Sequence, residues 1–440
     1  MLSKLISIFK NKELRGRILF TLVIVLIYRI GCTIVVPGVD SSSITFAEND
    51  LFTLMNVLGG GSLSSFSLFA LGISPYITAS IIVQLLSMGI LKSLQDLSKE
   101  GEKGRKKIDQ ATRYTSLVLA AIQGYGVIMT MKTSYGLTGV NGDFKTWDYI
   151  YITTILVAGS MLVMWLADKI TQKGIGNGVS MIIFVGIVAS IPNQLSTAYN
   201  TFVTFEGTSD VIFSGLAKFA LYLLCYFLII IFVVFIEKSV RKIPLQQSQN
   251  TVKMGGNVHH FPVKLNPAGV MPVIFASSFM MAIVTVINII STNISDIDTQ
   301  TTLNKVASIF NYSTKVDGVY WGLIIYIVLI FAFTFFWTNL QLNVKDISEK
   351  LAKENSFIPG IRQGKSTEKY LSGVINRVAF VGALILILIA VIPVLLTIVF
   401  NLNSTIAFGG TSTIILVGVA TETYEQINAK LAGKDYNRFM

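Results

Sequence analysis

Ten long apolar runs constrain this chain more than any other feature. They are set apart by connectors that alternate between rich and poor in Lys and Arg. The runs lie near residues 17–36, 74–91, 114–131, 149–168, 177–195, 213–236, 268–290, 319–340, 374–398 and 408–427. A bilayer core takes about 20 helical residues to cross, so each run is predicted to be a transmembrane helix. Composition argues the same way. Only 13% of residues are charged and the mean hydropathy is +0.65, whereas soluble domains carry about 25% charged residues. The predicted fold is an all-α polytopic membrane protein.

The charges give the chain a direction. Of its 35 Lys and Arg residues, 29 fall in the N-terminal segment, the connectors 92–113, 168–178, 237–267 and 341–377, and the tail. The intervening connectors hold only Lys132, Lys145, Lys305 and Lys315. The positive-inside rule therefore puts both termini and every basic connector in the cytoplasm. It also explains the net charge of +11 as a matter of topology rather than of nucleic-acid binding. No cleavable leader is expected, because the first run is long and ends in Val35-Val36-Pro37-Gly38 rather than at small residues. Ten spans divide into five and five. An odd number per half makes the second half enter from the opposite side, which is the arithmetic of an inverted repeat with a cavity between its halves. The predicted divisions are 1–195, an external hinge at 196–211, and 212–440.

Residues 59–86 are divided by two breaks. Gly59-Gly60-Gly61 opens the stretch, and Gly72, Ser74 and Pro75 cut it in the middle. The part before the cut is too short to cross a bilayer. After it, Ser74 is placed to cap a helix and Pro75 to begin one. Two readings are open: an ordinary kinked helix, or a half-helix in a cavity, since broken backbone survives at membrane depth only where protein or a water-filled cavity satisfies its freed groups.

Few residues suggest chemistry. Arg29 is the clearest ionisable group inside a run, placed either to snorkel outward or to pair with a buried carbonyl. No carboxylate lies deep in a span, which argues against a proton- or sodium-coupled transporter. The basic loop Gly101–Lys107 lacks phosphate-loop spacing. Gly174-Ile175-Gly176-Asn177-Gly178 follows no strand and reads as a turn capping the fifth span. His259-His260 stands apart from any Cys or carboxylate cluster, and Cys32 and Cys225 sit in apolar runs without metal spacing. No enzyme, metal site or cofactor is expected. The loops 237–267 and 341–377 are long for a helical bundle and carry Arg241, Lys242, Lys253, Arg362 and Lys365. Pro359-Gly360 predicts a tight turn presenting Arg362, and long loops with positioned charges are docking candidates for an acidic partner or RNA.

These residues resemble the SecY family of protein-translocation channels over essentially the whole chain. The resemblance runs through Arg29-Ile30-Gly31, Val36–Asp40, Phe69–Ile81, Gln84-Leu85-Leu86, Gly101-Glu102 with Gly104-Arg105, Gly174–Gly178, Asn266–Val270, Pro272–Ser278, Phe357–Gly364 and Phe408–Ser412. It implies two inverted five-helix halves and a half-helix plug at about 51–66, including Asn56, Gly59, Gly60, Gly61, Ser62 and Phe66. It implies an apolar pore ring of Ile73, Ile77, Ile183, Ile274 and Ile415. A lateral gate is implied between spans two and three on one side and seven and eight on the other, with Gln84 and Ser277 as polar candidates for an interhelical hydrogen bond. The implied function is to pass unfolded secretory chains across the membrane and release transmembrane segments into lipid. The implied partners are SecE-like and SecG-like subunits, the SecA motor, the ribosome, signal sequences and unfolded chains, and the lipid bilayer of a bacterial plasma membrane, with a plastid membrane left open. The chain departs from the family at Gln363, where proline is common, and at Thr251-Val252-Lys253, where many bacterial members carry paired arginines. The strength of docking through these loops is thereby left open. The competing functions are an inverted-repeat transporter for a small solute, a non-conducting membrane scaffold, and a specialised accessory SecY paralogue.

Overall fold

A computed structural model describes residues 11–41, 44, 51–87, 91–139, 144–203, 209–247, 259–292, 294, 296–311, 314–316, 318–400 and 410–437. In a bilayer every backbone N–H and C=O needs an internal partner, and the apolar runs meet that need as helices. Ten helices occupy the ten predicted spans: α1 (Lys12–Thr33), α3 (Ser74–Leu85), α5 (Glu102–Tyr135), α6 (Thr146–Lys173), α7 (Gly178–Phe202), α8 (Ser209–Lys238), α9 (Met271–Thr292), α11 (Trp321–Gln341), α13 (Lys365–Phe400) and α14 (Gly410–Asn437). Among the described residues, eight helices are long and apolar enough to cross a membrane, and Ser74–Leu85 is a shorter apolar helix. The outward faces are apolar too: Leu22 on α1 is 61% exposed and Ile231 on α8 is 63% exposed. Side chains of this kind would be costly in water and are at home against lipid tails.

Shorter elements join the spans. They are α2 (Leu51–Leu58), α4 (Lys92–Lys99), α10 (Ile297–Ile309) and α12 (Val344–Lys353), with strands β1 (Val39–Asp40), β2 (Thr138–Gly139), β3 (Val240–Gln247), β4 (His259–Lys264) and β5 (Ser356–Phe357). The basic connector 92–113 is largely helical, and α5 starts at Glu102, well before its apolar run. Its first turns are exposed and supported by the Glu102–Lys106 pair one turn apart. The two long basic loops contain strands where the sequence shows only turn signals. β4, β3 and β5 form an antiparallel three-stranded sheet, in which Gln246 pairs with Phe357 across the two loops. Ile243 and Val263 of the sheet pack with Leu351 of α12, Leu371 of α13 and Ile358 in a small core separate from the bundle's. Strand pairing between loops about a hundred residues apart leaves no local signature.

The largest core cluster draws on both predicted halves, from Ile24 and Ile77 to Ile274 and Ile415. Close backbone approaches bind it together. A Cβ on Gly159 would run into the Leu68 carbonyl, and one on Gly178 into the Ala167 carbonyl. α9 packs against α3, α5 and α11. These contacts place the broken stretch in the middle of the bundle.

Candidate functional site

The broken stretch is a short helix followed by turns. α2 ends where Gly60 and Gly61 adopt positive φ, 69° and 87°, a conformation that costs glycine nothing and other residues much. There the Gly61 N–H donates to the Asn56 carbonyl at 2.8 Å, and the Asn56 side-chain oxygen accepts from the Ser64 N–H at 2.9 Å. Ser62 and Phe66 are fully buried. Phe66 holds φ 43°, an unusual value for a bulky residue. The turns continue to Gly72, and α3 begins at Ser74. Contrary to expectation, Ser74 does not cap that helix: Ile73 stands at the cap and makes no side-chain bond. The break is held from outside, by the Ser160 hydroxyl donating to the Gly72 carbonyl at 3.1 Å.

α1 grips the glycine turn. Arg29 takes the second of its two expected settings and donates to the Gly60 carbonyl at 2.8 Å. The Tyr28 hydroxyl donates to the Gly59 carbonyl at 3.4 Å. On the other side of the turn lies Gly186 of α7, where a Cβ would collide with the Leu58 carbonyl. Tyr28, Ser160 and Gly186 had no predicted role. A tyrosine, a serine and a glycine inside apolar spans look like packing residues, and only tertiary structure reveals what faces them.

Two cavities lie beyond the turn. One, of about 40 Å³, is lined by Met55, Leu58, Gly59, Ile73, Ile77 and Ile183 among others. The second, of about 200 Å³, lies toward the basic connectors and is lined by Ile77, Ile183, Ile274, Gln84 and Trp337 among others. Ile77 and Ile183 line both. All five predicted isoleucines are nearly buried and share one apolar cluster. Ile415 joins that cluster from α14 without lining either cavity. The result is a waist of branched apolar side chains with a cavity on each side and a helix-and-turn segment against one of them.

Gln84 and Ser277 do not bond each other. Gln84 donates to Ser80 at 3.1 Å and Ser277 to the Ile274 carbonyl at 3.0 Å, each within its own helix. The expected hydrogen bond between spans is therefore absent. Gln84 Oε1 is buried without a partner. The seam between α5 and α9 is instead closed by packing, for a Cβ on Gly126 would lie 2.8 Å from Thr285 Cγ2.

In the basic loops Arg241 and Lys242 are exposed on β3. The Pro359-Gly360 turn forms as expected: Gly360 has φ 79° and the Ile361 N–H donates to the Ile358 carbonyl at 3.1 Å. Arg362 follows it, exposed, with its carbonyl accepting from Thr367 at 2.9 Å. Lys365, also exposed, starts α13. Lys253 lies outside the described residues. Asn177 caps α7 by accepting from the Val179 N–H at 3.0 Å, as its glycine-rich turn predicted.

A membrane bundle with a constricted waist, flanking cavities and a segment lodged against the constriction defines a channel-type protein. Comparison with known proteins makes the class specific. The model of the SecY family matches residues 67–424. Protein translocase subunit SecY of Halalkalibacterium halodurans is 38% identical over 438 residues, covering 99% of this chain and 98% of that protein. The subunit of the same name from Mycoplasma capricolum is 40% identical, covering 97% and 89%. A solved protein-conducting channel superposes with a TM-score of 0.68 at 19% identity, covering 94% of this chain and 92% of that one. The chain belongs to the SecY family.

Proposed function

We infer that this chain is the central pore-forming subunit of a Sec translocon, moving unfolded secretory proteins across the membrane and releasing transmembrane segments sideways into lipid. The observation that carries the reading is the waist itself: two cavities share Ile77 and Ile183 and meet at branched apolar side chains. An apolar constriction closes by dewetting, and isoleucines can rearrange around chains of any sequence. In this reading Ile73, Ile77, Ile183, Ile274 and Ile415 form the ring, and residues 51–66 are the plug. Gln84 and Ser277 border a lateral gate that opens where α3 and α5 face α9 and α11. The two inverted halves, 1–195 and 212–440, hinge within 196–211, a connector shorter than expected because α7 runs on to Phe202 and α8 begins at Ser209. Both termini and the basic loops are cytoplasmic. The chain itself is not an enzyme, and the energy for transport comes from a partner.

The partners follow from the same reading. SecE-like and SecG-like subunits pack against the lipid-facing spans. The SecA motor or the ribosome docks on the three-stranded sheet with Arg241, Lys242 and Arg362. Signal sequences engage the gate. A solved structure described as Sec61 in a canine ribosome–channel complex shares the fold at 18% identity. The test is reconstitution in proteoliposomes with a SecE-like subunit and a motor. A secretory precursor is expected to become protected from external protease. No protection, under conditions where an established channel protects it, overturns the reading.

A further inference from the structure

The turn Gly174–Gly178 does more than cap α7. It belongs to the first half, between α6 and α7, and it reaches across to the second. The Gly176 N–H donates to the Gln426 side-chain oxygen of α14 at 3.1 Å. Gly176 holds φ 86°, which a glycine adopts freely, and a Cβ placed on it would stand 3.3 Å from the Thr423 hydroxyl oxygen. The turn is braced from its own side as well. The Ile175 N–H donates to Thr21 of α1 at 3.1 Å, and the Gly178 N–H to Thr171 of α6 at 2.8 Å. The facing part of α14 is braced within the second half, for Glu425 pairs with Lys264 of β4 at 2.7 Å. Two braced segments, one from each half, thus meet through one hydrogen bond.

This contact lies at one end of α7. At the other end Phe202 leads through a short connector to Ser209 of α8, where the chain itself joins the halves. Along its length α7 packs against α8 and α14. The seam is made by other helices, α3 and α5 against α9. A single tether lets two bodies splay in any direction. Two tethers leave them free only to rotate about the line between, and α7, 25 residues long, makes that line about 38 Å. Points on such an axis hardly move while points away from it separate. We propose that Gly176 and Gln426 are positioning residues: their bond pins the halves at the end of α7 nearest the basic connectors, so that opening is a rotation about α7 that parts the seam and leaves the pin closed. The proposal rests on the translocation reading above.

The test uses the reconstituted complex with the exposed Cys225 changed to Ser. Gly176→Cys with Thr423→Cys is expected to form a disulfide on mild oxidation, and the oxidised channel to transport a secretory precursor as fast as the reduced one. A disulfide across the seam, from Gly126→Cys with Thr285→Cys, is expected to stop transport under the same conditions. Transport lost on oxidation at 176 and 423 would mean that the halves part there, and overturns the proposal. Gln426→Leu removes one neutral hydrogen bond and is expected to slow transport about fivefold. The disulfide between 176 and 423 is expected to restore the rate, because a covalent pin replaces the lost bond. Slowing that the disulfide does not relieve, or no slowing, overturns the proposal. Should the cysteine pair not assemble or not oxidise, residue 426 decides. Gln426→Glu keeps an acceptor for the Gly176 N–H and is expected to transport several-fold faster than Gln426→Leu, and equal rates overturn the proposal. If the parent complex moves no precursor, it is the translocation reading that fails.

Discussion

Arg29 illustrates how one residue can be legible in type and not in role. A guanidinium inside an apolar helix has to find an acceptor, so the sequence limits it to a few settings. Only the fold selects the Gly60 carbonyl, 2.8 Å away and 31 residues along the chain. Replacing it by alanine removes a charge-assisted bond. For a partly exposed pair that is worth about 1 kcal/mol, or roughly fivefold in the population of the unseated segment. Arg29→Ala is therefore expected to raise the resting leak of small anions from channel-containing vesicles several-fold, measured by dye efflux, and Arg29→Lys to restore part of the seal. The five isoleucines differ from Arg29. Isoleucine in a membrane span carries no local sign of its function, and these five could be singled out only through the resemblance to a family.

At the scale of elements the broken stretch is the informative piece. Glycines at 59–61 and the Gly72–Pro75 cut mark where helix stops and resumes, and both breaks stand in the structure. What the chain order could not reveal is what holds the break: Ser160 on α6 for one end, Tyr28 and Arg29 on α1 for the other. If the segment seals the waist, deleting residues 56–65 raises ion leak through the resting channel while assembly in the membrane stays normal. Single-channel recording checks this, and an unchanged leak would show that another element makes the seal. The sheet of β3, β4 and β5 escaped the sequence reading for a plain physical reason. β3 and β4 each carry a proline, Pro244 and Pro262, which in a sequence argues against a strand, and β5 comes from a separate loop.

For the whole molecule, the seam between α5 and α9 is the boundary most open to direct test. The hydrogen bond expected between Gln84 and Ser277 is absent, and close packing at Gly126 and Thr285 takes its place. A Cβ on residue 126 would stand 2.8 Å from Thr285 Cγ2 and 2.6 Å from Ile289 Cδ1, so with Ile289 displaced, cysteines at 126 and 285 are expected to form a disulfide on mild oxidation. The oxidised channel is expected to lose signal-dependent transport and to recover it on reduction. Transport that persists with the disulfide intact would move the gate to another seam.

The ten-span bundle, its breaks and the asymmetry of its charge can all be read along the chain. These depend on run length, hydropathy and local turn chemistry, all short-range properties written along one chain. Which side chains meet at the waist, what pins the glycine turn, that two loops share one sheet and that Asn266 bonds Glu237 29 residues away appear only in the folded bundle. Those facts depend on which helices become neighbours. Helix contacts in a membrane are settled by close packing between small residues such as Gly159, Gly178 and Gly186, and a glycine in the sequence does not say which backbone will press against it.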